Sequence, residues 1–335
     1  MKIKKIISGI MAVLVVFGTM PVFSANPVQD YVVTASAVET YENLTYMRDG
    51  DHIGILGFSG SEEEVVIPAE IEGLPVTRIG EFAFWCRSGL KSITIPDSVT
   101  DIGEEAFSLC SGLTSITIPD SVTSIGEAAF LKCSHLESIT IPDSVTNIGY
   151  RAFEDCLSLT SIDVAENNKN YCSLKGVLFN KDKTKLLVYP IQKAETEYVV
   201  PDSVTSIGNN AFFGCSGLTS ITIPDSVTNI GELAFDGCSN LTSITIPDSI
   251  TVIGYGVFLY CSGLESITIP DSVTSIGNSA FGYCSGLKSI TIPDSITNIG
   301  DCAFSECNSL TSVTIPESVT SIGSSVFAYC TILHQ

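Results

Sequence analysis

The chain is short of histidine and positive charge, and each shortage closes a class of function. Its three histidines, His52, His135 and His334, stand far apart, so no nucleophile–histidine–carboxylate set is suggested. Sixteen Lys and Arg against 37 Asp and Glu give a formal charge of −21. Such a field repels nucleic acid and anionic lipid, which excludes a nucleic-acid partner. There is no CxxC pair and no His cluster, so a zinc site is not expected. Isolated Ile-Gly pairs replace any phosphate-cradling glycine loop, and calcium-loop spacing is missing among the acids. No cofactor is expected. After the N-terminal leader no run is long and apolar enough for a membrane span.

What is present is one unit, copied. Leu113 to Gly126 reads LTSITIPDSVTSIG, and AFLKC closes the unit at Ala129 to Cys133. Pro96, Pro119 and Pro142 keep a step of 23 residues, as do Pro201, Pro224, Pro247, Pro270, Pro293 and Pro316. The Phe column Phe84, Phe107, Phe130, Phe153, Phe212, Phe235, Phe258, Phe281, Phe304 and Phe327 agrees, apart from one 59-residue gap. A fixed period in the twenties signals a solenoid, whose units bury their apolar sides by stacking. This explains a mean hydropathy of +0.35.

Within a unit, Leu113, Ile116 and Ile118 point inward from a short strand, and Ser115 and Thr117 point outward. Pro119 ends the strand because it has no N–H to pair. Asp120 and Ser121 form a turn, and Val122 and Ile125 return to the core. Gly126 permits a bend, and Glu127 opens a predicted helical turn that turns Ala129, Phe130 and Cys133 inward.

The pattern LxxIxIPxxVTxIGxxAFxxC resembles the BspA-type leucine-rich repeat, a family of bacterial surface and secreted proteins. The opening variant IPAEIEGLPVTRIGEFAF (Ile67 to Phe84) is similar to the first repeat of that family. The resemblance covers roughly residues 65–330. It implies an α/β repeat solenoid of leucine-rich repeat type, each coil carrying a short parallel strand and a short helical turn. It also implies adhesion or ligand binding with no shared active site.

Residues 1–25 read as a secretory signal peptide: Lys2, Lys4 and Lys5, an apolar run from Ile6 to Met20, then Ser24 and Ala25. Cleavage is expected after Val22-Phe23-Ser24 or as late as Ala35-Ser36-Ala37. Residues 26–43 read as a tether and residues 44–335 as the solenoid. The solenoid has an N-terminal cap over 44–66, with Asp49-Gly50 as a hairpin turn. An insertion over about 165–197 carries a second hairpin, with Lys181, Lys183 and Lys185 as a basic cluster on an acidic chain. No C-terminal capping hairpin is expected after Cys330.

Twelve cysteines in a secreted chain invite disulfides. Yet Cys110, Cys133, Cys156, Cys215, Cys238, Cys261, Cys284, Cys307 and Cys330 share one column, three residues after the repeat Phe. Stacked coils at about 4.8 Å hold their Cβ atoms slightly too far apart for an unstrained bridge. The column is therefore expected to be structural, a row of buried free thiols. Cys172 and Cys302 are the thiols expected to react.

Two surfaces are candidate binding sites. Thr94, Thr117, Thr140, Thr222, Thr245, Thr268, Thr291 and Thr314 form an outward column beside a Ser column. This hydroxyl-rich face suits a protein or glycan partner, and Thr also simply suits a strand. The slots after Phe vary between coils, and place Tyr260 and Tyr283 in adjacent coils as an aromatic pair. The expected function is non-enzymatic binding, outside the cell or at its surface, of extracellular protein or glycan. The alternative is a structural spacer or surface-layer component that self-associates through its C-terminal coil.

Overall fold

The structure is a computed structural model and describes residues 38–332. The predicted signal peptide, its expected cleavage sites, most of the predicted tether and His334 lie outside the described residues. The described chain opens with Val38–Tyr41 antiparallel to Leu44–Asp49, which pairs in turn with His52–Phe58. Asp49 pairs with His52, so the two-residue loop is Gly50-Asp51, one residue later than the Asp-Gly signal placed it, with Gly50 at φ of 63° as its first residue. His52–Phe58 then starts a parallel ladder with Leu74–Ile79.

From there each coil stacks on the last in the register set by the period. Ser138 pairs with Ser161 and Thr140 with Asp163; Thr268 pairs with Thr291. A second ladder runs through the two residues after each Val-Thr, with Asp101 paired to Ser124 and Ser124 to Asn147. The sequence reading gave one strand per coil. The second is two residues long, too short for a period-two signal, and exists because stacking aligns it.

The third side corrects the sequence reading. No helix occurs among the described residues. An α-helix with its side chains is about 10 Å wide, whereas successive Phe rings stack at 5.3 and 5.4 Å. Helical turns do not fit at that pitch. Instead the chain makes tight turns with single left-handed residues, such as Glu105 at φ 48° and Leu109 at φ 61°. Ser108 N–H closes a turn to Glu105 O at 3.1 Å. The N–H groups of Glu105, Phe107 and Leu109 cross instead to the carbonyls of Glu127, Ala129 and Leu131, at 2.7–2.8 Å. A regular coil is thus hydrogen-bonded to its neighbour on all three sides.

The rings of Phe58, Phe84, Phe107, Phe130 and Phe153 form one column. Tyr189 begins a second column that runs through Phe212 to Phe327. The twelve rings mark twelve turns. The buried apolar side chains divide accordingly into two cores. The inserted strand Val177–Asn180 straddles them: Leu178 packs in the first core, Val177 and Phe179 in the second. Alternate side chains of a strand face opposite ways, which is how one strand serves both.

Candidate functional site

The predicted threonine column lies where the sequence places it. All eight threonines are exposed on the strand face. None of their hydroxyls is hydrogen-bonded among the described residues. A second threonine row, after the repeat Val or Ile, behaves differently: Thr123 Oγ1 donates to Thr100 O and Thr297 Oγ1 to Thr274 O, both at 3.2 Å. One row therefore ties coil to coil, and the other presents its hydroxyls outward. Val66, Asp163 and Val199 interrupt the outward row.

Tyr260 and Tyr283 are brought together. Their rings stack at 4.5 Å with an interplanar angle of 25°, and both are exposed. Tyr329 continues the row two coils on and is 73% exposed. Tyr260, Tyr283 and Tyr329 all take left-handed φ of 57–61°. The same slot holds Gly214 and Gly237 in other coils. A side chain there opposes the backbone's own preference, so the tyrosines are a surface feature and add little to the core. The first slot after Phe puts Trp85 on the surface and Phe213 half-buried.

The nine column cysteines are free, and eight of them are buried. Each thiol donates to a carbonyl of the preceding coil, Cys110 to Phe84 O at 3.0 Å and Cys238 to Phe212 O at 3.2 Å. Burial pushes the Cys110 and Cys156 thiols up to about 12. Cys86 is exposed; the sequence reading missed it because it stands two residues after Phe84, one short of the column.

A further site escaped the sequence reading. Between the coils of Phe153 and Phe212 the inserted segment supplies Tyr189 in place of a repeat Phe. Its ring stacks 5.1 Å from Phe212, and its N–H takes Ala211 O at 2.7 Å. A cleft of about 290 Å³ opens on the Phe153 side, lined by Tyr150, Arg151, Glu154, Lys185, Asn210 and Phe213 among others. The 59-residue gap in the Phe column was its one signal. A hydrogen-bond chain crosses this cleft. Tyr150 Oη donates to Asn210 Oδ1 at 2.8 Å, and Asn210 Nδ2 donates to Glu154 Oε2 at 2.8 Å. Arg151 grips both oxygens of Glu154, at 2.8 and 2.6 Å. Nearby Asp236 is 8% exposed, and burial, then the charges of Glu154 and Asp155, push its carboxyl up to about 7.

No group of three or more His, Cys, Asp or Glu among the described residues is arranged to hold a metal ion. No helix among them is long and apolar enough to cross a membrane.

The BspA type leucine rich repeat region matches this sequence in six copies, over residues 59–183, 192–285 and 253–335. The chain belongs to the BspA-type leucine-rich repeat family. A leucine rich cell surface protein from Faecalibacterium prausnitzii is 28% identical, with a TM-score of 0.55 over 87% of this chain and 96% of that one. A leucine-rich repeat protein from Eubacterium ventriosum is 25% identical, with a TM-score of 0.64 over 88% and 95%. The pneumococcal vaccine antigen PcpA shares the fold at 23% identity and a TM-score of 0.61, over 86% and 93%. No curated protein matches the chain.

Proposed function

We propose that this BspA-type repeat protein is a non-enzymatic binding protein, secreted or held at the cell surface, that takes a protein or glycan on its strand face. One observation carries the reading: eight exposed threonine hydroxyls, in two runs separated by Asp163 and Val199, have no internal partner among the described residues, while the neighbouring threonine row is consumed in coil-to-coil bonds. A hydroxyl array of this kind offers donors and acceptors at the coil spacing. The tyrosine pair adds an aromatic surface of the kind protein and sugar partners use. The similarity to a leucine rich cell surface protein supports the location. So does the leader, since a charged start, an apolar run and small residues direct secretion.

The test is binding to an array of mucins, matrix proteins and glycans, repeated with Thr245→Val and Thr268→Val combined. Val66 and Val199 already occupy this row, so the variant keeps shape and strand preference and loses only hydroxyls. Saturable binding that the double variant weakens supports the strand face. Binding that is unchanged removes it.

One observation favours the self-association reading. Ile315 and Ile322 are 39% and 52% exposed, whereas their counterparts one coil earlier, Ile292 and Ile299, are 5% and 1% exposed. Sedimentation across a concentration series tests it, with Ile322→Asp expected to keep the chain monomeric if the last coil is the contact.

A further inference from the structure

In eight coils the third side is tied to the next coil by the same three bonds, from the N–H groups two before, at and two after the ring residue. For Phe130 they are Ala128 to Tyr150 O, Phe130 to Ala152 O and Lys132 to Glu154 O, at 2.8–2.9 Å. In the coil of Phe153 the backbone has the same form, with Arg151 and Asp155 at φ 57°. Yet the N–H groups of Arg151, Phe153 and Asp155 meet no acceptor among the described residues. Tyr189 takes Ala211 O by the regular step, but Val188 O, which that step would offer to Phe153, belongs to the inserted hairpin strand Lys185–Val188, paired with Val177–Asn180. Across the gap the carbonyls of Asn209 and Phe213 receive no N–H either. All five residues line the 290 Å³ cleft. Phe153 is buried, Asp155 half-buried and Arg151 exposed; main-chain donors in a folded wall are almost always paired, so three left open in one row point to an outside acceptor.

Charge selects the kind of acceptor. The inserted segment 165–197 holds six lysines against four acids, in a chain of formal charge −21. Lys185 lines the cleft and makes no ion pair among the described residues. The local acids are already occupied: Glu154 by Arg151, and Asp155 by Lys132 at 4.0 Å. The three N–H groups belong to alternate residues, and their counterparts at Ala128, Phe130 and Lys132 each meet a separate carbonyl, so they form a row that a ligand with several acceptor oxygens can span. The volume is at the small end of ligand pockets, which run about 300–1,000 Å³. It suits a single sugar ring or the end of a short peptide.

We propose that this cleft binds a small carboxylate-bearing ligand. Its oxygens accept from the N–H groups of Arg151, Phe153 and Asp155, its charge faces Lys185, and its own donors meet Asn209 O and Phe213 O. This rests on the reading of the chain as a binding protein, but on none of the strand-face residues.

The experiment is amide NMR on the purified chain. In the free protein the amide protons of 151, 153 and 155 should exchange about a hundredfold faster than those of Phe107 and Phe130, which are tied across coils. The chain is then titrated with N-acetyl-Ala-Ala, with its C-terminal amide, and with galacturonic acid. The expected result is saturable downfield shifts centred on those three amides with a carboxylate and none with the amide. Response to the dipeptide assigns a peptide terminus as the source, and response to galacturonic acid alone assigns an acidic sugar. Lys185→Glu, at an exposed position, should weaken binding about threefold to fivefold at low salt. Three amides already protected in the free protein, or no carboxylate that shifts them, overturns the proposal. The Thr245→Val and Thr268→Val protein should titrate unchanged, so failure of the cleft and failure of the strand face remain separate results.

Discussion

The ring of Tyr260 lies 4.5 Å from the ring of Tyr283, both on residues whose φ is left-handed. Stacking contributes about 0.5–1.5 kcal/mol to such a pair. Holding a side chain in the left-handed region costs roughly 1–2 kcal/mol per residue. The pair thus returns no more to the fold than its backbone gives up. Tyr260→Gly is predicted to leave stability within about 1 kcal/mol of wild type, because these two terms offset. Phe258→Ala, in the same coil, should cost about 3–5 kcal/mol, since that ring is fully buried between Phe235 and Phe281. Urea unfolding of both variants checks this. A Tyr260→Gly loss as large as the Phe258→Ala loss would make the tyrosine pair part of the core and end its claim as a binding feature.

Two glycines separate close approach from mere flexibility. A Cβ at Gly103 would sit 2.8 Å from both Glu81 N and the Gly80 carbonyl carbon, whereas one at Gly89 meets nothing within 4 Å. The backbone at Gly103 cannot retreat, because its N–H is tied to Ile79 O at 2.8 Å. Gly103→Ala is predicted to destabilise by at least about 2 kcal/mol through overpacking. Gly89→Ala should be neutral or stabilise by about 0.4–1 kcal/mol by restricting the unfolded chain. Thermal unfolding of the two variants side by side decides it, and equal shifts would mean that the coils can part at Gly103.

Thiol labelling reads the stacking directly. The thiolate is the reactive form, and burial pushes the column thiols upward while placing them out of reach. A disulfide-exchange reagent at neutral pH should modify Cys86 first, then Cys172, Cys302 and Cys330 more slowly. The eight buried column cysteines should react only after unfolding. Peptide mapping after brief labelling shows the order. Rapid modification of Cys238 or Cys261 would mean that the coils open on the labelling timescale.

The legible part of the molecule is the part that repeats. Phe130, Ile125 and Cys133 announce their inward positions because the same residue types return every 23 places, and stacking imposes one environment on each column. The turns at Glu105 and Leu109 were not legible. Their left-handed φ is forced by cross-coil bonding, and residues as different as Tyr283, Lys132 and Asp155 accept it. The cleft was hidden for the opposite reason. It depends on one substitution of register, Tyr189 for a repeat Phe, inside a segment whose own pattern reads as a hairpin. The hairpin was visible in Asn180 to Lys185, but that its return strand would pair with Val177–Asn180 and leave the Phe153 N–H without its regular partner was not.

Asp236 supplies a pH signature for the same region. Its carboxyl is pushed up to about 7, first by burial and then by Glu154 and Asp155. In the unfolded chain the same group titrates near about 3.9. The folded protein therefore keeps a proton that the unfolded chain releases, and stability falls as pH rises between those two values. Above about pH 7 both states are ionised and the loss is complete; below about pH 4 both are protonated and it is absent. Asp236→Asn carries no such proton. The difference in unfolding free energy between variant and wild type, from urea titrations, should be near zero at pH 4 and grow to on the order of 2 kcal/mol by pH 8, in favour of the variant. Taking the difference cancels the titration of the other acids. Parallel curves from pH 4 to pH 8 would show that the Asp236 carboxyl ionises normally in the folded state.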